Sequence, residues 1–280
     1  MIAITAESTI DMSKELLEKF NIHTIPFNVI MGDDEYKDGE ITSKDIFDFV
    51  AKTNNLPKTS AINEFNYTEF FEEMLKTYDA VVHFALSSGI SSACDNAKSA
   101  AEKLKNVYVV DSKSLSTGIA LLAIKACEFA EQGLEAKEVA KRCIELVPFV
   151  QASFVLDKLN YLHKGGRCSK VELLGANVLH IKPEIILENG KMIVGKKYMG
   201  TIDGVTRKYC SDIIKASGEL DLDHAFITYT TASENMVKSA REALEKAGFK
   251  NIYETTAGAT ITSHCGPRTL GILFIKSDQK

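Results

Sequence analysis

The sequence predicts an α/β fold in two domains: an N-terminal, mostly parallel sheet with flanking helices over residues 1–148, and a smaller C-terminal α+β domain over residues 149–280. Three observations predict it. Apolar strand-like runs alternate with helical runs through the first half, the pattern of a parallel sheet covered on both faces. Pro148 interrupts that pattern directly after a helical stretch. Beyond it, residues 182–187 and 191–194 flank Glu188-Asn189-Gly190, a strong hairpin signal.

The elements follow in order. Residues 2–5 read as a strand and 13–20 as an amphipathic helix, joined by Ser8-Thr9-Ile10-Asp11. Residues 24–31 read as a second apolar strand, and Gly32-Asp33-Asp34 and Tyr36-Lys37-Asp38-Gly39 as turns. Ser43 is placed to cap a helix reaching Thr53. The loop Asn54-Asn55-Leu56-Pro57 continues through Lys58-Thr59-Ser60-Ala61 to a helix over 67–76. Strand 80–86 stops at Ser87-Ser88-Gly89, and a helical pattern then runs to Leu104. Residues 107–110 form a buried strand ending at Asp111-Ser112. A long apolar helix over 116–132 ends at Gly133, where a C-terminal glycine belongs, and a helix over 136–146 precedes Pro148.

In the second half, residues 152–155 read as a strand, and Leu156, Leu159 and Leu162 recur at helical spacing. Lys164-Gly165-Gly166-Arg167 ends that helix, with the glycines reading as its cap and an anion-holding loop as the alternative, and Ser169 is placed to cap the next. After the hairpin come a helix over 206–216, a strand over 225–230 and a helix over 234–247. Residues 251–255 and 271–275 are the last strands. Between them His264-Cys265-Gly266-Pro267 reads as a turn whose histidine is either structural or aimed into a cleft.

Composition narrows the function. The net charge is −5, without the basic surplus of a general nucleic-acid binder. The apolar helical run 119–124 ends at Lys125, far short of a bilayer span, so no stable membrane insertion is expected. Met1-Ile2-Ala3-Ile4 lacks the basic head of a signal peptide. Six scattered cysteines form no CxxC pair, which fits buried thiols in a reducing cytoplasm, the expected location. The six histidines form no HExxH, and no acidic cluster resembles a calcium loop, so neither a metal nor a cofactor is expected. Neither G-x-x-x-x-G-K-[ST] nor G-x-G-x-x-G occurs.

One stretch carries chemistry. In residues 83–97, an apolar strand opens into Ser87-Ser88-Gly89-Ile90-Ser91-Ser92 and then a helix. Such a junction offers free N–H groups, the positive end of a helix dipole and neutral hydroxyl donors, which suit a small anion. Plain capping is the competing reading, because Ser92-x-x-Asp95 fits a capping box. Ligands of a parallel sheet gather outside the strand C-termini, where Thr59-Ser60 and Ser87-Ser88 could meet. A nucleophilic reading pairs Ser88, Ser91 or Thr59 with His264 as base, although no G-x-S-x-G elbow surrounds any of them.

Taken together, the motifs resemble the DegV family, nearly end to end. The landmarks are Glu7-Ser8-Thr9, Asp38-Gly39, Lys58-Thr59-Ser60, Ser87-Ser88-Gly89-Ile90-Ser91, Asp111-Ser112, Leu159 through Gly165-Gly166-Arg167, Lys182-Pro183 and His264-Cys265-Gly266-Pro267. Each is weak alone; their order is specific. The resemblance implies two α/β domains with a fatty acid in a buried tunnel and its carboxylate near the domain junction. It implies that Thr59 or Ser60, and Ser88 with Gly89, hold the carboxylate, with His264 beside it. Some members are the fatty-acid-binding subunits of bacterial fatty acid kinase, so a kinase subunit is an implied partner. Two positions depart from the family pattern: Glu7 replaces a common aspartate, and Met199-Gly200 stands where Arg-Gly is expected, which puts kinase coupling in question.

The physics agrees with a carrier. A tail of about 15 methylenes gains on the order of 12 kcal/mol on burial, before association costs. The head group then needs only to avoid burial without partners, and no catalytic base is required. The expected function is a non-catalytic cytoplasmic carrier that binds one long-chain fatty acid and presents its carboxylate to a partner kinase. The alternatives are a serine hydrolase or esterase using Ser88 and His264, and a binding module for another small anion.

Overall fold

The computed structural model of the chain describes residues 1–169 and 181–277. β1 (Ile2–Glu7) is an inner strand of a four-stranded parallel sheet with β2 (Ile22–Ile25) on one side and β6 (Ala80–Ala85) then β7 (Val107–Asp111) on the other. A three-stranded antiparallel sheet places β3 (Asn28–Met31) between β4 (Asp34–Lys37) and β5 (Lys58–Ser60). The chain leaves the first half through a single turn of 3-10 helix at Val147–Phe149, built on Pro148, and enters β8 (Val150–Val155).

β8 belongs to a seven-stranded mixed sheet. Its remaining strands are β9 (Cys168–Ser169), β10 (Ile181–Glu188), β11 (Lys191–Met199), β12 (Leu220–Tyr229), β13 (Asn251–Thr256) and β14 (Leu270–Lys276), in the order β13-β12-β14-β8-β10-β11-β9. This sheet therefore holds more strands than the parallel sheet of the first half.

One helix lies between the two larger sheets. Helices α1 (Lys14–Phe20), α2 (Ser43–Thr53), α3 (Glu64–Leu75) and α4 (Ala93–Ala101) precede α5 (Thr117–Glu131) in the first half. From Thr117 to Cys127 α5 is buried and almost wholly apolar, and Lys125, its one charged residue there, pairs with Asp221 at 2.9 Å. A helix with no polar face must be covered on every side, and α5 packs on β1 and β6 of one sheet and on β8, β12 and β14 of the other. The main hydrophobic core accordingly runs from Ala3 to Ile275 without dividing at Pro148. α6 (Ala136–Leu146) follows α5, and α7 (Asn160–Gly165) follows β8. Helices α8 (Ile202–Ala216) and α9 (Glu234–Ala247) pack a second core on the other face of the mixed sheet, around Tyr209, Ile227 and Phe274.

Several local expectations are corrected. The strand expected over 24–31 is two strands in different sheets, because Pro26 supplies no N–H and breaks the ladder. Tyr36 and Lys37 pair with β3 before the chain turns. Thr42, not Ser43, caps α2, through a capping box with Asp45. Lys58–Ser60 is a strand rather than loop, with Thr59 opposite Val29. Leu156 lies outside α7 and gives its N–H to the Pro183 carbonyl. His264 lies in the last turn of a short helix, α10 (Ala259–Cys265), not in a turn. The helix that Ser169 was expected to cap lies outside the described residues.

Candidate functional site

The C-terminal end of the parallel sheet, β5 and α10 enclose a cavity of about 520 Å³. Phe27, Ile30, Leu86, Ile90, Leu115 and Met192 supply apolar wall. Thr59, Ser60, Ser91, Ser92, Asn96 and His264 supply polar groups, and Lys58 and Arg167 supply charge. The cavity thus pairs an apolar wall with a polar cluster, its rim, the composition of a site for an amphipathic small molecule.

The polar rim is built by three elements. Pairing of β5 with β3 fixes Thr59 opposite Val29, and the Thr59 hydroxyl lies 2.8 Å from His264 Nε2. The other ring nitrogen, Nδ1, is buried with no hydrogen-bond partner, as is the Thr260 hydroxyl beside it on α10. Burial, with the Arg167 charge adding to it, pushes the His264 pKa down to about 4, so the ring is neutral at pH 7. The two glycines after α7 divide their labour. Gly166 is the left-handed C-cap at φ 68°. Gly165 is needed for space, because a Cβ there would lie 2.7 Å from His264 Nδ1.

The third element is the loop after β6. The Ser92 capping box does not form: Ser92 is helical in backbone and makes no side-chain cap, and Ser91 Oγ accepts the Ala93 N–H at 3.2 Å instead. Ser91 and Ser92 line the cavity, whereas Ser88 and Gly89 do not. Ser88 donates to Asp111 Oδ2 at 2.6 Å and accepts from Lys113 Nζ at 2.8 Å. Burial pushes the Asp111 carboxyl up, but hydrogen bonds from Lys113 and Ser88 outweigh it and hold the group below its ordinary range. Gly89 packs on the β10–β11 hairpin, where a Cβ would fall 2.3 Å from the Gly190 carbonyl oxygen. Thr59, Ser60 and His264 are therefore brought together, and Ser88 and Gly89 brace the loop from outside.

The expected Ser88–His264 catalytic pair is not assembled, since each side chain has a different partner. Two further spaces adjoin the cavity. One, of about 460 Å³, shares Lys58, Thr59, Arg167 and His264 with it and adds Lys164. The other, of about 30 Å³, is walled almost entirely by apolar surface and shares Leu115, Ile261 and Cys265. Among the described residues no group of three or more His, Cys, Asp or Glu could hold a metal ion, and no helix is long and apolar enough to cross a membrane.

The pattern is that of a family. Residues 1–277 match the family model described as "Uncharacterised protein, DegV family". The chain belongs to the DegV family. It is 30% identical to protein DegV of Bacillus subtilis over 277 residues, 98% of each chain. Among solved structures, a DegV-family protein from Thermus thermophilus superposes with a TM-score of 0.90 at 24% identity, over 99% of each chain, which shows the shared fold. DegV from Bacillus subtilis, described as a fatty acid binding protein, superposes with a TM-score of 0.84 at 28% identity, over 99% of each chain.

His264 yields a pH prediction for this DegV-family chain. A histidine held neutral in the fold and free to protonate when unfolded destabilises the fold as pH falls. The loss should begin near the unfolded pKa of 6.5 and grow until pH reaches about 4. Thermal melts over that range should be steeper in pH for wild type than for His264→Gln.

Proposed function

We propose that this chain binds one long-chain fatty acid, with its tail against the apolar wall of the cavity and its carboxylate at the rim formed by Thr59, Ser60, Ser91 and His264. The observation that carries the reading is the juxtaposition of the apolar wall of a roughly 520 Å³ cavity with a hydroxyl–histidine cluster. The description of Bacillus subtilis DegV as a fatty acid binding protein, at 28% identity and full coverage, supports it. Lipid extraction of the purified protein followed by mass spectrometry tests the reading. A fatty acid should be recovered, or added hexadecanoic acid should bind; neither happening would end it.

The division into residues 1–148 and 149–280 fits this reading, with the first part supplying most of the rim and the second supplying His264. On this reading the carrier acts in the cytoplasm and presents the carboxylate of its bound fatty acid to a partner fatty acid kinase, without catalysing a reaction itself. Lys58, Lys164 and Arg167, gathered around the rim and the adjoining space, suit a phosphoryl group arriving at the carboxylate.

Three substitutions follow from this. Thr59→Ala removes a donor to a charged acceptor, worth about 1.5–3 kcal/mol, and should weaken binding by roughly 10–100-fold. Ser88→Ala loosens only the Asp111–Lys113 cluster and should leave the dissociation constant within about twofold of wild type. Calorimetry on both variants checks the ranking, and equal losses would put Ser88 back among the head-group ligands. Met199 is 78% exposed at the end of β11 and touches neither cavity wall nor rim. Met199→Arg should leave lipid affinity unchanged while strengthening phosphorylation by a partner kinase, since arginine can pair with phosphate and methionine cannot. Equal phosphorylation of both loaded proteins would remove any role for that position.

A second reading rests on the 2.8 Å contact between Thr59 and His264, which places a hydroxyl within reach of a base. A base with a pKa near 4 and no group orienting Nδ1 is poorly suited to that task. Ester turnover abolished by Thr59→Ala would establish it.

A further inference from the structure

We propose that Asp11 and Asp38 are positioning residues for the ligand site, holding the N-terminal end of α10 and so fixing Thr260, Ile261 and His264 in the cavity wall. The inference takes its ligand from the fatty-acid-binding reading above. Asp11 Oδ1 accepts the Gly258 N–H at 2.8 Å, and Asp38 Oδ1 accepts the Ala259 N–H at 2.8 Å. Their second oxygens are anchored in the first half of the chain. Ser116, directly before α5, donates to Asp11 Oδ2. Ser8 donates to Asp38 Oδ2 at 3.0 Å and itself accepts the N–H of Phe27, a cavity residue, at 3.1 Å.

This is more than an ordinary cap. A seven-residue helix can be capped by one hydroxyl, yet here two carboxylates, 4% and 7% exposed, converge on it. Burying two acidic side chains close together is costly. Both oxygens lie close to where a Gly258 Cβ would stand, at 2.9 Å for Asp38 and 3.2 Å for Asp11. Burial is the main cause that pushes the Asp11 pKa up to about 8, with the Asp38 charge adding to it. The backbone is strained at the same point. Asp11 and Ser116, partners in one hydrogen bond, both have positive φ, 53° and 52°. Because α10 presents Thr260, Ile261, His264 and Cys265 to the cavity, a shift of its first turn is transmitted to the rim.

The test uses the full chain and hexadecanoic acid, with the His264 imidazole NMR signals of the ligand-free protein as a second readout. Asp38→Ala deletes the acceptor and should weaken binding about tenfold and shift the His264 signals. Asp38→Asn keeps a carbonyl oxygen for Ala259 and should restore both toward wild type. Gly258→Ala, at a φ of −66° that any residue adopts, should act like Asp38→Ala by pushing the carboxylates away. Should Asp38→Ala fail to fold, Gly258→Ala against Asp38→Asn makes the same comparison. Wild-type affinity and unmoved His264 signals in folded Asp38→Ala or Gly258→Ala would overturn the proposal, as would an Asn variant as impaired as the Ala variant. If wild type binds no hexadecanoic acid, the ligand reading fails, and the His264 signals still decide the positioning role.

Discussion

Ile261→Trp should cut the affinity for hexadecanoic acid by about two orders of magnitude. Ile261 stands where the large cavity meets the small apolar space, and it lines both. An indole there takes up space between the two that, on the fatty-acid reading, the far end of a long tail would occupy. Excluding about four methylenes forfeits on the order of 3 kcal/mol at ~0.8 kcal/mol each, or roughly 100-fold. The side chain enters existing space, so the fold should lose no more than the ~1–3 kcal/mol typical of overpacking. Chain length supplies the control. A short acid that does not reach Ile261 should bind wild type and variant alike. Calorimetry with a series of straight-chain acids reads this directly, and a uniform loss across the series would mean that the head group, not the tail, had been displaced.

The two ends of this site were unequally legible in the sequence. β6 announced itself because every residue from Ala80 to Ala85 is buried, which demands an unbroken run of strand-compatible side chains. α5 was equally plain, since an apolar helix of its length has to be covered. Thr59 and His264 were singled out, but nothing in their separation of 205 residues shows that they touch. That contact depends on β5, a three-residue strand with no alternation to read, and on α10, whose Thr260, Ile261 and Thr262 are poor helix formers held by tertiary contacts.

Within the serine-rich loop, residue type could not distinguish the serines that line the cavity from the one that braces Asp111. Loop conformation decides that, and it is set partly by the hairpin tip at Gly190, a hundred residues downstream. Ser87 donates to the Gly190 carbonyl at 2.7 Å, and the close approach at Gly89 leaves no room for a side chain. The hydrogen bonds of Asp11 and Asp38 were illegible for the same reason. Each carboxylate sits in an unremarkable loop sequence, and its role appears only when Gly258 and Ala259, more than 200 residues away, are folded onto it.

Glu7→Ala should destabilise the fold by about 3–5 kcal/mol, the usual cost of removing one partner from a buried charged network. Glu7 is fully buried at the end of β1. Its Oε1 accepts from the Tyr67 hydroxyl at 2.7 Å and lies 3.4 Å from His83 Nε2, while Oε2 accepts the Leu86 N–H at 2.8 Å. His83 is held in turn by the Thr5 hydroxyl at 2.9 Å and packed edge-on by Tyr67, Phe70 and Phe71. Alanine would strand a hydroxyl, a backbone N–H and an imidazole without water to replace the carboxylate. At ~2–4 °C per kcal/mol for a chain of this size, the melting temperature should fall by roughly 6–20 °C. Glu7→Gln keeps a carbonyl oxygen for Leu86 and should lose much less. Glu7→Asp carries the aspartate expected from the family resemblance, but one methylene shorter it cannot reach both Tyr67 and Leu86 without movement of β1, so it should fall between the two. The consequence reaches the site, because Leu86 is cavity wall and leads directly into the serine loop. Fatty-acid affinity should therefore decline in the same order as the melting temperature. Full stability in Glu7→Ala would mean that β1 and α3 are held together by apolar packing alone.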